Sequence, residues 1–220
     1  MRSLNGVSKA LRYLTNNTPY RCSVALLCAF IAACGGAPAT MPDATCASEI
    51  VSVVPEQVAQ EYANAQTLMS VEDYEGAAQI LEPLALSATE YPAVATTLAI
   101  AWRHLERDDD ALATLQSALT VHDGYAPGWN EVGILHREAG RFADAEAAYL
   151  KAVTVSPEYA LAHFNLGILL DLYLGQHARA LEHYQTYQSL VPDEDKQVKR
   201  WIADISRRIE RSARAASVGQ

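Results

Sequence analysis

The sequence lacks an uncharged apolar run long enough to cross a bilayer. Its apolar stretch, residues 22–33, has 12 residues, short of the ~20 that carry a helix through a ~30 Å hydrocarbon core. Missing too are a glycine-rich phosphate loop, a Gly-x-Ser-x-Gly elbow and a His-Glu-x-x-His zinc motif, the usual marks of phosphoryl transfer, serine hydrolysis and metalloprotease chemistry. The histidines, His104, His122, His136, His163, His177 and His183, contain no pair with ligand spacing and a carboxylate partner. His136 and His163 read as packing residues, and His177 and His183 fall on different faces of a helix. No metal, cofactor, catalysis or small-molecule substrate is expected. Basic residues are outnumbered, 17 Lys and Arg against 26 Asp and Glu for a net charge of −9. An acidic chain lacks the footprint that nucleic acid requires, and no nucleic-acid partner is expected.

The first 33 residues are set apart. They carry Arg2, Lys9, Arg12 and Arg21 and no acidic residue, followed by the run Cys22–Ala33. A basic stretch, a short apolar stretch and small residues after it predict an export signal over 1–33, with a long basic region that leaves room for a start downstream of Met1. The signal ends Ile31-Ala32-Ala33-Cys34, which resembles the lipobox of bacterial lipoproteins. That resemblance implies cleavage before Cys34 and lipid on its thiol. Each buried methylene of the acyl chains contributes about 0.8 kcal/mol, so several chains make a durable anchor. Gly35, rather than Asp, at the next position implies sorting to the outer membrane, facing the periplasm. Residues 34–55 read as a flexible tether.

Processing changes both the cysteine and the charge inventory. Cys22 and Cys28 leave with the signal and Cys34 is acylated, so Cys46 alone remains and no internal disulfide is possible. Cys46 is then a free thiol in the tether, or an intermolecular partner. Loss of four basic residues takes the net charge from −9 to −13. Residues 196–214 hold seven basic and two acidic residues, so the acidity lies in the body of the chain.

That body is periodic. Trp129, Val132, Gly133, His136, Ala145, Tyr149, Ala152 and Pro157 recur, 34 residues earlier, as Ala95, Leu98, Ala99, Trp102, Ala111, Leu115, Ala118 and Asp123. A further step back gives Glu61, Asn64, Ala65, Leu68, Ala77, Leu81, Leu84 and Thr89, and a step forward gives His163, Leu166 and Gly167. One inserted residue then precedes Ala180, Tyr184, Tyr187 and Pro192. Small residues at such spacing let two antiparallel helices approach closely, since larger ones would overpack the crossing. Gly140 and Gly175 suit the left-handed residue that closes a helix, and Pro157 and Pro192 stop the second helix of a pair. The pattern resembles the tetratricopeptide repeat. The resemblance implies an all-α, right-handed superhelical solenoid of four helix-turn-helix hairpins over about 58–91, 92–125, 126–159 and 160–194. The one-residue insertion is expected to lengthen the first helix of the fourth hairpin or its turn.

Beyond Pro192 the acidic Asp193-Glu194-Asp195 precedes an expected helix from about Lys196 to Arg211. Val198, Trp201, Ile202, Ile205 and Ile209 share one of its faces. A terminal repeat has an open apolar face, so residues 195–213 are read as a capping helix that closes a domain spanning 56–213. Its basic residues are then a solvated face, with a docking patch as the alternative. Residues 214–220 are expected to form a disordered tail.

In the resembled fold a concave groove is lined by positions two, five, six, nine, twelve and thirteen of each first helix. Carried onto this chain, those positions give Tyr62, Gln66 and Met69, then Thr96, Ile100, Arg103 and His104. They continue with Asn130, Ile134 and Arg137, and end with Phe164, Asn165, Ile168 and Asp171. Apolar surface mixed with amide and guanidinium groups suits a protein or peptide segment. The expected function is a lipid-anchored envelope adaptor. A tether for an enzyme such as a peptidoglycan hydrolase, or a self-associating structural lipoprotein, is the alternative. The segments Leu169–Leu174, Ala180–Tyr184 and Lys196–Asp204 also resemble repeat proteins of proton-driven envelope transport clusters.

Overall fold

The structure is a computed structural model that describes residues 55–218. The expected signal, Cys34 and nearly all of the tether lie outside the described residues.

Helices pair in sequence order. The first hairpin is α1 (Glu56–Ser70) with α2 (Tyr74–Ser87), and the second is α3 (Pro92–His104) with α4 (Asp108–Val121). The third is α5 (Ala126–Glu138) with α6 (Phe142–Val155), and the fourth α7 (Ala160–Ile168) with α8 (His177–Leu190). A final helix, α9, spans Lys196–Val218. The all-α solenoid of four hairpins with a terminal cap is therefore the fold. Among the described residues, no helix is long and apolar enough to cross a membrane.

The turns inside the hairpins repeat one backbone solution. Glu72, Glu106, Gly140 and Gly175 all have positive φ, between 58° and 73°. Two of the four are glutamates, which tolerate that region less well than glycine. Asp73 then starts α2 by accepting the Gly76 N–H at 3.0 Å, a side-chain cap on one of the helix's unpaired donors.

At the close crossings each glycine meets an aromatic ring. A Cβ on Gly133 would lie 2.5 Å from two ring carbons of Tyr149, and one on Gly167 would lie 2.7 Å from Tyr184. Each tyrosine therefore lies across the glycine of its own hairpin, and both rings are buried. In the first two hairpins the same positions hold Ala65 with Leu81 and Ala99 with Leu115, all buried. A larger first-helix residue thus goes with a smaller second-helix one.

The inserted residue of the fourth hairpin is taken up inside the first helix. Leu169–Tyr173 widens into a π turn, in which Leu174 N–H reaches the Leu169 carbonyl at 3.1 Å. The bulge lets the neighbours Leu169 and Leu170 both be fully buried.

Helix α9 is capped by Asp195, whose carboxylate accepts the N–H groups of Gln197 and Val198 at 2.9 and 3.1 Å. Val198 and Ile205 are buried against the last hairpin, with Trp201, Ile202 and Ile209 packed beside them. The helix runs to Val218, which corrects the expected end at Arg211 to residue 213 and, over residues 214–218, the expected disordered tail, whose last two residues lie outside the described ones. Ala213, Ala215 and Ala216 are strong helix formers and carry it on.

Candidate functional site

The first helices α1, α3, α5 and α7 present the positions carried over for the groove, and the structure separates these residues into three groups. Position five does not face an open groove. Tyr62 is fully buried, and its hydroxyl pairs with Thr97 Oγ1 on the next first helix at 2.8 Å. Thr96 is buried. Asn130, buried as well, accepts a hydrogen bond from Asn165 Nδ2 at 2.8 Å. Phe164 packs on Tyr187 and stacks on Trp201 of the cap, with ring centroids 5.0 and 6.0 Å away. The assignment of Tyr62, Asn130 and Phe164 as groove-lining contacts is therefore corrected. At Tyr62 and Asn130, position five bridges to the next first helix, whereas Thr96 bonds the Pro92 carbonyl of its own helix at 2.9 Å.

The second group is held by the C-terminal part of the fold. Ile168 and Ile134 pack into the core cluster that the cap completes. Asp171 is nearly covered, its carboxylate 3.0 Å from His177 Nδ1 and 3.7 Å from Arg208 Nη1. At the other end, His104 stacks on Tyr74 with centroids 4.1 Å apart. Gln66 is half-buried on α1.

What remains is a charged centre on α3 and α5. Arg103 Nε lies 3.6 Å from Glu131 Oε2, and its Nη1 lies 3.6 Å from Glu138 Oε1. Arg137 Nη2 lies 3.6 Å from the same Glu138 oxygen. These are ion-pair distances, too long for hydrogen bonds. Arg103 Nε, Arg137 Nε, Glu131 Oε2 and the Tyr149 hydroxyl are all buried without a hydrogen-bond partner. Burial pushes the Glu131 carboxyl up to about 7, against the pull of Arg103. Burial also raises the Tyr149 hydroxyl well above the usual phenol range. The two arginines were among the expected site residues. Glu131 was not, although it occupies position six of α5, as Asn165 does of α7; Glu138 follows at position thirteen.

A further pairing was missed from spacing alone. His163 on α7 and His183 on α8 share an Nδ1–Nδ1 contact of 3.0 Å, and His163 Nε2 meets the Pro157 carbonyl at 3.0 Å. Burial and its two positive-capable neighbours, His163 and Arg179, lower His183 to about 4. The pair is a core contact between two helices. Among the described residues no group of three or more His, Cys, Asp or Glu side chains is placed to hold a metal.

Residues 133–195 match the family described as tetratricopeptide repeat. This stretch carries tetratricopeptide repeats. Solved structures agree on this fold. A MamA structure described as an RS-1 ArsTM double mutant is 18% identical, aligned over 74% of this chain and 90% of its own, with a TM-score of 0.57. MamA from AMB-1 is 21% identical over 72% and 86%, with a TM-score of 0.54. The first tetratricopeptide domain of Spaghetti (RPAP3), bound to the HSP90 peptide SRMEEVD, is 16% identical over 54% and 95%, with a TM-score of 0.50. At these identities the likeness is one of fold. No curated protein matches the sequence. A tetratricopeptide fold of this kind supports a protein-interaction scaffold.

Proposed function

We propose that the protein is a lipid-anchored adaptor of the bacterial envelope. In this reading Cys34 holds it to the outer membrane, and the repeats hold a partner protein on the periplasmic side. The observation that carries the binding half is the unspent hydrogen-bonding capacity at the centre of the first-helix face. Buried donors on Arg103 and Arg137 without acceptors are costly, each on the scale of ~1–3 kcal/mol for an unsatisfied group. The two guanidinium groups remain partly exposed, with side chains 21% and 19% accessible, so a partner segment that brings backbone carbonyls or carboxylates there makes charge-assisted bonds, the stronger kind. The RPAP3 domain, a structural relative, is bound to a peptide, which supports the same use of this fold here.

The anchor and the groove are tested separately. Mass spectrometry of the membrane-extracted protein should show an N-terminal acylated Cys34, and Cys34→Ser should release the protein into the soluble fraction. An unmodified, soluble native protein refutes the anchor. For the groove, Arg103→Ala with Arg137→Ala should abolish cross-linking to the envelope partner while helicity and membrane anchoring are kept. Gln79→Ala, exposed on α2, should leave cross-linking intact. Retention of the partner by the double arginine variant refutes the assignment of the site.

A further inference from the structure

The repeats differ at one position in a way that leaves a hole. Position four of the first helix is Ala95 in the second hairpin, Trp129 in the third and His163 in the fourth. Trp129 donates its indole N–H to the Asp123 carbonyl at 2.7 Å, and His163 Nε2 meets the Pro157 carbonyl at 3.0 Å. Both rings thus lie in the same slot, with a ring nitrogen on the carbonyl six residues earlier. Ala95 has no ring to place there. Over it lies a cavity of about 360 Å³ between α2 and α4, lined mainly by apolar atoms, with Ala88, Ala95, Trp102, Ala118 and Val121 on its walls.

The neighbours record what is missing. In the third hairpin Ala152 is fully buried, and Trp129 and Val155 pack against the same cluster. Their counterparts one repeat earlier are Ala118, half-buried, and Val121, 72% exposed. Leu86, on the opposite rim, is 79% exposed. The carbonyl at the foot of the slot, Thr89, is met by His122 Nε2 at 2.8 Å, and a carbonyl oxygen has a second lone pair to offer. Trp102 is 6% exposed, and its indole N–H is buried without a hydrogen-bond partner.

We propose that the slot over Ala95 receives an aromatic side chain, tryptophan foremost, from a partner protein. The chain's own third hairpin is the template, because Trp129 fills the equivalent space. A ring carried by a peptide also brings flanking chain onto Val121 and Leu86, 72% and 79% exposed at the rim, and a free indole brings none. This slot lies between second helices, away from the Arg103 and Arg137 centre, so it is a second contact surface and does not depend on the first.

The test uses the full chain titrated with N-acetyl-tryptophanamide and followed by methyl NMR. Saturable shifts should be confined to Ala95, Ala118, Val121 and their neighbours. Ala95→Trp should supply the missing ring in cis, weaken binding at least tenfold and leave the thermal midpoint unchanged or higher. Ala95→Leu, a smaller plug, serves the same purpose if the tryptophan variant does not fold. Arg103→Ala with Arg137→Ala should bind the probe as the parent does. The proposal is overturned if shifts do not saturate, if both plugged variants bind as the parent does, or if N-acetyl-alaninamide gives the same shifts. Free indole binding as tightly as the amide, or more tightly, also overturns it, because the slot would then belong to a small molecule.

Discussion

The pairing of Gly133 with Tyr149 can be tested as a double-mutant cycle whose sign the structure sets. In Gly133→Ala the new Cβ would sit 2.5 Å from Tyr149 Cδ1 and Cε1 and 2.9 Å from Cζ. The ring has little room to retreat, because Tyr149, Ala145, Leu166 and Leu169 are fully buried in one cluster. Overpacking of this kind costs ~1–3 kcal/mol, while replacing a helical glycine by alanine returns about 1 kcal/mol. The single variant should therefore be destabilised by up to about 2 kcal/mol on those two scales. Tyr149→Leu alone should also be destabilised, through lost burial. Their combination recreates the Ala99 and Leu115 pair of the second hairpin, where both residues are buried without a glycine. The propensity gain is the same with or without the ring, so it cancels in the cycle and only the steric contact remains. The coupling should be favourable by ~1–3 kcal/mol. Urea unfolding followed by far-UV circular dichroism measures it, with unchanged m-values as the check that the unfolding unit is the same. Additivity within ~0.5 kcal/mol means that the glycine is not there for the ring, and the account of the hairpin crossing fails.

Three further expectations follow from single residues. Glu72→Gly and Glu106→Gly, both at positive φ, should each stabilise the fold by ~0.5–1 kcal/mol by relieving a left-handed backbone; a lower thermal midpoint in both contradicts the turn geometry. Glu131 is held at about 7 in the fold, above its ordinary 4.5, so the folded state keeps a proton that the unfolded chain has lost. Its contribution is fully present below pH 4.5 and is lost as pH rises through about 7. Glu131→Gln should remove that decline, giving a variant more stable than the parent above that range; an unchanged pH profile refutes the burial argument. His183 behaves oppositely, because its folded value of about 4 lies below the ordinary 6.5. Its stability is present above pH 6.5 and is lost as pH falls towards about 4, so His183→Asn should flatten the acid limb of the unfolding profile. A limb as steep as the parent's shows that another group titrates there.

The windows of Glu131 and His183 overlap with opposite slopes, which is why the parent profile alone identifies neither, whereas the two variants separate them. The same logic explains what the sequence reveals and what it hides. Gly133 and Tyr149 are legible because they meet inside one hairpin, where a period of 34 residues places the partner. Tyr62, Asn130 and Phe164 are misread because their orientation depends on the distance between one hairpin and the next. A list of positions does not encode that distance. Phe164 in particular is claimed by Trp201, a residue outside the repeat whose approach is set by how α9 packs. His163 and His183 escape notice for a related reason: their contact crosses between two helices of one hairpin at a separation of 20 residues, outside any local ligand motif. The arginine centre was half visible, since Arg103 and Arg137 occupy corresponding positions one repeat apart, while Glu131 required reading position six of the third hairpin as closely as that of the fourth. A repeat protein supplies its own control for such errors. Where equivalent positions carry a compensating pair, Gly with Tyr against Ala with Leu, the difference is packing. Where one repeat lacks a ring, as at Ala95, its neighbours Val121 and Leu86 stay exposed among the described residues, and that opening is the one the proposed partner ring fills.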